Sequence, residues 1–478
     1  MFWLRRPVGN RHATPSVADQ GIASGGGGRR SLGRAMGDHM SVSQGSADTA
    51  AEQIGDPGGP MNICIIGSGI SGLSAAFYLA KYQNVSITVY ERSDVFGGRA
   101  NINEHGEHCP RVFLSDYECL FSILRGVEND DGVSIYDTLQ AVHRYCHIEG
   151  RGWVEISHLY VVLARELSLR ERFKVVKARR TSPLVAAQVP GANENRYGSI
   201  RNFSPLSLAR VMTNLRRSTI AFALGGPTDD FLISPWVRYL EKAGVTFRKS
   251  HRVDAITPLP HGVSVRSAAG ASAFDAVLVT AFAPDLANLL TASGIDHRVK
   301  VLDYTHCKCL TLALNPREKI LAIRQLALYS REGINVVLQP DHSRCVVLCT
   351  RPLSTDVSYV ASRVRDFLGL EHEILDIKVR DNRRPEEAIY AADYLRPGAI
   401  LRQCRPHVYF AGSCIKNSYP IDSGEGAARS AFDAVQRIQR DYRLASRNAG
   451  PRASAGYSRP ESLARQHIER AVRQGGLA

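Results

Sequence analysis

A glycine-rich turn between an apolar run and a helical pattern constrains the fold of this chain more than any other feature of its sequence. The run Met61–Ile66 is largely apolar, as strands buried in a parallel sheet are. The turn Gly-Ser-Gly-Ile-Ser-Gly follows directly, apolar residues then recur at helical spacing, and residues 85–90 alternate as a second strand. This order predicts a β-α-β unit of an α/β fold.

A physical requirement explains each glycine of this turn. Gly67 permits the tight turn, Gly69 lets the backbone approach a pyrophosphate, and Gly72 lets the helix pack closely on the sheet. The exposed N–H groups at the start of the helix, around Ile70 and Ser71, would then meet the phosphate charge. The turn therefore predicts a site for a dinucleotide.

Two features after the second strand extend the pattern. Glu91, about 20 residues beyond the turn, can accept hydrogen bonds from the ribose hydroxyls of an adenosine. A second glycine-rich turn, Gly97-Gly98, ends in Arg99. This turn suits a cofactor that extends past the pyrophosphate, because Arg99 can pair with a phosphate or with the flavin side of such a cofactor.

A motif near the other end of the chain is more specific. A strand-like run leads into a tight turn at Gly412 and Ser413, and the sequence Glu425-Gly-Ala follows at the start of a predicted helix. Together with the first turn and the Gly-Gly-Arg segment, this motif resembles the flavin amine oxidase superfamily. That group includes monoamine and polyamine oxidases, protoporphyrinogen oxidase, phytoene-type desaturases and hydroxysqualene dehydroxylase.

The resemblance implies FAD as cofactor and an α/β fold, in which a Rossmann-like FAD-binding domain is interleaved with a substrate-binding α+β domain. It places Arg92, Gly98 and Arg99 in the segment that binds FAD, and it places the backbone of Val253 against the adenine. Ser413 stands where the superfamily usually has an acid that contacts the ribityl chain. A hydroxyl here replaces the usual charge-assisted contact.

The predicted helix at the closing motif has a reason to start at the cofactor. A helix N-terminus aimed at the pyrimidine end of a flavin would stabilise the anion that forms there on reduction. Asp422 and Glu425 are three residues apart, which predicts a capping box at this helix start.

The catalytic candidate is Lys308. Monoamine-type oxidases place a lysine near flavin N5 through a water, and the segment around Thr305 aligns Lys308 with that position. The alternative interpretation is a surface lysine at the edge of a strand.

The predicted function is that of an enzyme, an FAD-dependent oxidoreductase that accepts hydride onto flavin N5 from a C–H bond. Residues 105–120 loosely resemble the hydroxysqualene and carotenoid branch, which favours an apolar or isoprenoid-like small molecule as substrate. Two alternatives remain: an amine oxidase that releases peroxide, and a catalytically degraded FAD- or NAD-binding protein.

The chain is expected to divide into interleaved parts. The FAD-binding domain would take residues 61–150, 235–300 and 395–440, and the substrate domain residues 151–234 and 301–394. Residues 1–60 are expected to be a disordered extension, because they are rich in glycine and lack periodicity. Residues 441–478 are expected to form a basic tail.

Composition limits the other classes of function. The net charge is +14, but nine arginines and three acids from Arg437 onward contribute +6 of it, and no nucleic-acid motif accompanies the charge. The ten cysteines lack the spacing of a metal site and no signal peptide is apparent, which indicates reduced thiols in the cytoplasm and no metal. We therefore expect a small-molecule substrate and no nucleic acid, with peripheral membrane contact as an option. The oligomeric state is left open.

Overall fold

The computed structural model describes residues 59–148, 152–155, 221–297, 304–305, 307–316, 326–329, 334–349, 356–369, 372–382, 389–390, 403–415, 417–419 and 423–447. The predicted N-terminal extension before residue 59 and the part of the basic tail after residue 447 lie outside the described residues. Asp422 does too.

The described chain is rich in short strands. In chain order they are β1 (Met61–Ile66), β2 (Val85–Tyr90), β3 (Ile102–Asn103), β4 (Gly106–Glu107), β5 (Val112–Leu114), β6 (Gln140–Val142), β7 (Arg144–Ile148), β8 (Gly152–Glu155), β9 (Ala221–Ala223), β10 (Thr246–Arg248), β11 (Val253–Leu259), β12 (Gly262–Ser267), β13 (Gly270–Phe274), β14 (Ala276–Val279), β15 (Tyr304–Thr305), β16 (Cys307–Pro316), β17 (Leu326–Tyr329), β18 (Ile334–Leu338), β19 (Arg344–Cys349), β20 (His372–Asn382), β21 (Ile389–Tyr390), β22 (Gln403–Arg405) and β23 (Val408–Phe410).

Helices connect and cover these strands. They are α1 (Ile70–Leu79), α2 (Glu118–Gly126), α3 (Ile135–Thr138), α4 (Ser234–Lys242), α5 (Ala283–Ala292), α6 (Val357–Leu368) and α7 (Gly424–Tyr442). A single 3₁₀ turn at Gly98–Ala100 and a π-helical turn at Asp229–Ile233 complete the helical segments of the described residues.

The first sheet confirms the predicted β-α-β unit. Its order is β10-β2-β1-β14-β23-β22, and every neighbouring pair is parallel except β22 with β23. The two central strands are apolar because both faces of the sheet are covered; β14, for example, is buried at all four positions. α7 packs beside α1 against one face. The carboxyl ends of β1, β2, β14 and β23 meet at one edge, where ligands of such sheets bind.

The second sheet is mainly antiparallel. Its order is β20-β16-β19-β18-β17-β7-β8, with β7 parallel to β17. Successive side chains of a strand point to opposite faces, so β16 directs Leu310 and Leu312 to the face that α6 covers with Val360 and Phe367. An α/β domain with an added α+β portion is the fold class that the sequence predicted.

The hairpin β3–β4 packs on strand β16 of the second sheet. The backbone N–H of Glu107 donates to Oγ1 of Thr311 at 3.1 Å, and the Thr311 hydroxyl would lie 2.7 Å from a Cβ at Gly106. Gly106 has φ of +99°, a conformation that glycine adopts without strain. The hairpin therefore lies directly on β16, on the face opposite to α6.

The predicted domain boundaries stay a prediction. β7, at Arg144–Ile148, pairs within the second sheet, slightly before the boundary that we expected at residue 150.

Within the described ranges, no helix is both long enough and apolar enough to cross a bilayer.

Candidate functional site

The first glycine turn is held by the strand beside it. Gly67 has φ of +103°, and the Thr280 hydroxyl at the end of β14 donates to the carbonyls of Ile66 and Gly67 at 2.8 and 3.0 Å. A Cβ at Gly72 would lie 1.9 Å from the Gly67 carbonyl oxygen. Gly72 is therefore required by the fold, which is the packing role that the sequence predicted for it.

The start of α1 is free of side-chain capping. Gly69 is the N-cap residue, no side chain caps the helix, and its first turn carries no acid. The Ser71 hydroxyl is buried and has no hydrogen-bond partner among the described residues. A helix start with exposed N–H groups and an unused hydroxyl fits the phosphate of a dinucleotide.

The second glycine turn lies against the first. The N–H of Gly97 donates to the Ser68 carbonyl at 3.1 Å, and Gly69 and Gly97 form a parallel β-bridge. A Cβ at Gly98 would lie 3.2 Å from the Cα of Gly69. Contact between these backbones explains why both turns are rich in glycine, and it brings two distant sequence motifs into one site.

The carboxylate of Glu91 is fixed in place. Ser68 donates to one oxygen through its N–H at 2.9 Å and through its hydroxyl at 2.6 Å, and the N–H of Ser93 donates to the other at 3.0 Å. The side chain is buried, yet it lines the cavity described below. A carboxylate oriented in this way is prepared to accept hydrogen bonds from ribose hydroxyls.

Arg92 and Arg99 occupy different parts of the site. Arg92 forms a half-exposed ion pair with Asp285 at 2.8 Å. The Arg99 guanidinium donates to the Ser413 hydroxyl at 2.8 Å and lies 3.8 Å from the centre of the Phe282 ring. The serine that replaces the usual acid thus contacts the arginine of the Gly-Gly-Arg segment directly.

A cavity of about 610 Å³ joins these groups. It runs from the edge of the first sheet to Asn101 and His108, which flank the hairpin β3–β4, and to Arg380 on β20 of the second sheet. Of the residues predicted from the sequence, the cavity wall contains Gly67, Gly69, Ile70, Ser71, Glu91, Arg92, Gly98, Arg99, Val253, Gly412 and Ser413.

Glu425 does not line this cavity. It is fully buried, and its oxygens accept from the backbone N–H groups of Cys119 and Leu120 at the start of α2, and from Arg429. Burial raises the pKa of Glu425 while Arg429 lowers it. The side chain therefore caps a second helix, and Glu425, a candidate cofactor-binding residue by its position in the motif, lies outside the cavity wall.

The predicted capping box is also wrong. The N-cap of α7 is Ser423, whose hydroxyl accepts from the N–H of Gly426 at 3.1 Å. The helix thus begins at Gly424, one residue after the capping serine. Ser423, Gly424 and Ala427 line the cavity, so the start of α7 does face the site, through its backbone and small side chains.

Lys308 is not brought to the cavity either. It lies on β16 between Cys307 and Cys309, both of which are buried, and it does not belong to the cavity wall. Because side chains alternate along a strand, Lys308 shares the face of Leu310, which α6 covers, whereas Thr311 is on the face of the hairpin. The match of Lys308 to the lysine of monoamine-type oxidases was made from sequence position alone, which does not include this alternation of faces.

Two arginines that the sequence analysis did not select line the cavity. Arg111 donates to the Arg99 carbonyl at 2.7 Å and to Sγ of Cys109 at 3.3 Å. Arg380, on β20, donates to the backbone and side-chain oxygens of Asn101, both at 3.1 Å. Arg111 lies within residues 105–120, which carry the resemblance to the hydroxysqualene and carotenoid branch, but nothing in the sequence near Arg380 indicates a site.

Comparisons with known proteins agree with the fold. The family model of an NAD(P)-binding Rossmann-like domain matches residues 65–129. A comparison with curated proteins finds no match.

Among solved structures, cyclohexylamine oxidase from Brevibacterium oxydans IH-35A is similar at 13% identity and a TM-score of 0.53, over 80% of this chain and all of that chain (100%). An oxidoreductase from Methanosarcina mazei is similar at 15% identity and a TM-score of 0.54, over 79% and 100% of the two chains. A wild-type putrescine oxidase bound to putrescine is similar at 12% identity and a TM-score of 0.53, over 79% and 99%. At identities this low, the structural similarity shows a shared fold and nothing about function. A Rossmann-like domain model therefore matches residues 65–129, and the chain shares its fold with these solved oxidoreductases.

Proposed function

We propose that this protein is an FAD-dependent oxidoreductase that accepts hydride from a C–H bond of a small molecule. The observation that carries the proposal is the continuity of the cavity. The uncapped start of α1, the fixed Glu91 carboxylate and the Gly412–Ser413 turn open into one space of about 610 Å³. That size is within the range of cofactor and ligand sites.

The residues of the wall suit successive parts of FAD. Glu91 and the backbone of Val253 would hold the adenosine. The start of α1 and Arg99 would hold the pyrophosphate, because exposed N–H groups and a guanidinium both favour negative charge. Ser413 and the start of α7 would face the flavin end.

FAD, when bound, supplies a hydride acceptor at flavin N5. The contribution of this chain is to bind, to orient and to exclude water. The start of α7 favours negative charge at its N-terminal end, as the macrodipole of any helix does. Its first residues lie in the cavity wall, so a flavin held with its pyrimidine end there would be easier to reduce.

The substrate that we propose is apolar or isoprenoid-like. Phe113, Tyr117, Leu120 and Leu232 line the cavity and offer apolar surface. An amine substrate is less well supported, since Lys308 is outside the wall and the guanidinium groups of Arg111 and Arg380 would repel a protonated amine.

The test is the visible spectrum of the purified protein, followed by acid precipitation and identification of the released chromophore. We expect flavin absorption bands and FAD in the supernatant. A colourless protein that also takes up no added FAD would contradict the proposal. If FAD is present, anaerobic bleaching by isoprenoid alcohols or polyenes, compared with a panel of amines, decides the substrate class. Reduction by dithionite alone would instead favour the degraded-site alternative.

A further inference from the structure

A second, much smaller cavity lies behind the wall of the large one. Its volume is about 10 Å³, close to the minimum that one water molecule requires. Pro110 and Arg111 line both cavities, so they form the partition between them. The remaining lining residues of the small cavity are Glu107, Ala223, Leu224, Thr228, Val337, Gln339 and Val346.

Three polar atoms that lack partners belong to residues of this small cavity. They are Oε2 of Glu107, Nε of Arg111 and Oε1 of Gln339, and none has a hydrogen bond within the described residues. Glu107 and Gln339 are 2% and 6% exposed, so bulk water does not satisfy them. Leaving a buried polar atom without a partner costs about 1–3 kcal/mol.

The other ends of these side chains are fixed, which settles the orientation of the orphaned atoms. Oε1 of Glu107 accepts from the N–H of Thr228 at 2.9 Å. Nε2 of Gln339 donates to the Gly226 carbonyl at 2.8 Å, so the oxygen of the amide is the atom left over. Glu107 and Gln339 are thus each held at one polar atom, and the three unpaired atoms belong to residues that line one small space.

We propose that a single ordered water fills the small cavity and joins Glu107 and Gln339 to Nε of Arg111. A water can accept from the Nε–H of Arg111 and donate its two protons to the oxygens of Glu107 and Gln339. This uses every unpaired group once. Burial raises the pKa of Glu107, and Arg111 lowers it. If the carboxyl is protonated, its O–H donates a hydrogen bond to the water, which still donates to Gln339, so the three groups remain joined.

Small ions match the site less well. A cation would be repelled by the guanidinium of Arg111, and an anion would face two oxygen acceptors. Water matches the mixture of one donor and two acceptors without adding charge.

The water would act on the large cavity through Arg111. The guanidinium donates to the Arg99 carbonyl at 2.7 Å, and Arg99 in turn contacts Ser413 at 2.8 Å. Glu107 and Gln339 would thus be positioning residues: they touch neither cavity-bound ligand nor cofactor, but they hold Arg111 against the Gly-Gly-Arg segment.

The direct test is a crystal structure of the full chain at about 2 Å resolution or better. We expect one density peak within hydrogen-bond distance of all three atoms, whether or not FAD is bound. An empty cavity, or a direct Glu107–Arg111 contact that closes it, would overturn the inference. Failure of the protein to bind FAD would contradict the proposed function alone and would leave this result unaffected.

A matched pair of variants tests the positioning role. Gln339→Met removes the acceptor, together with the Nε2 hydrogen bond to the Gly226 carbonyl, at similar side-chain size. Asn335→Leu removes another buried amide of the same β18 region that does not line the small cavity. We expect Gln339→Met to raise the dissociation constant of FAD by about threefold to tenfold, as for a weakened charge-assisted contact. Asn335→Leu should change it by less than about twofold. Equal effects of the two variants would mean that general loss of packing, and not the water, is responsible.

Discussion

The two walls of the large cavity are built in different ways. The wall from the first sheet consists of backbone: two glycine turns in contact, an uncapped helix start and one fixed carboxylate. The opposite wall consists of side chains, chiefly Arg111, which directly precedes β5, and Arg380 on β20 of the second sheet; both donate to carbonyl oxygens within residues 99–101.

The difference shows which kind of site can be read from a motif. A backbone wall needs glycines at fixed spacing, because a side chain at those positions would occupy the space of the ligand or of a neighbouring strand. A side-chain wall needs only that a long polar residue occupy the correct face of a strand. Many residue types at many spacings satisfy that condition, so it leaves little trace in the sequence.

The largest effect should come from a glycine that serves the fold. We expect Gly72→Ala to lower the free energy of unfolding by about 3 kcal/mol or more, since its Cβ would lie 1.9 Å from the Gly67 carbonyl oxygen. Urea denaturation of the purified variant measures this. Gly69→Ala is the matched control, because its Cβ would find no atom nearer than 3.8 Å. Equal loss of stability in both variants would contradict the interpretation that Gly72 is needed for folding and Gly69 for ligand binding.

Substitution of Gly69 should weaken cofactor binding while it leaves the stability of the fold nearly unchanged. We expect Gly69→Leu to raise the dissociation constant of FAD by about a hundredfold or more, roughly 2.7 kcal/mol, because the side chain would fill the approach to the pyrophosphate. The free energy of unfolding should change by less than about 1 kcal/mol. Flavin fluorescence titration and denaturation measure the two quantities. A folded variant that still retains FAD would contradict the assignment of this turn to the pyrophosphate.

Removal of the fixed carboxylate should have a smaller effect. We expect Glu91→Ala to weaken FAD binding by about 1.5–3 kcal/mol, the range for hydrogen bonds to a charged group. Asp254→Ala serves as control, since Asp254 also lines the cavity but is exposed and pairs with Arg252 at 3.6 Å. If both variants bind FAD as the native chain does, the ribose is held elsewhere.

The smallest effect is expected at Lys308. Because its side chain lies on the face of β16 that α6 covers, Lys308→Met should change the rate of flavin reduction by less than about twofold. Single-turnover reduction by whichever substrate the screen identifies is the measurement. A loss of a hundredfold would restore the lysine to a catalytic role and would require the second sheet to be rearranged.

Much of the fold and part of the site could be predicted. The β-α-β unit, the strand that leads into Gly412 and the helix that begins near Glu425 were recognisable in the sequence. Glu425 shows why the remainder was not. Its motif position indicated a ligand contact, but the partners of its carboxylate are N–H groups of residues 119 and 120, more than 300 positions away.

Local sequence was sufficient to predict the dinucleotide turn, the strand that follows it and the closing Gly-Ser turn, because each depends on backbone conformation over a few consecutive residues. Three further features became visible in the folded chain: Lys308 lies outside the cavity wall, Glu425 caps a distant helix, and Arg111 and Arg380 complete the wall. Glu425 and Arg111 depend on contacts with residues of other segments, whereas the positions of Lys308 and Arg380 depend on which face of their strand meets which neighbour. That is set by the register of pairing between distant segments, and a one-residue change in register would reverse it.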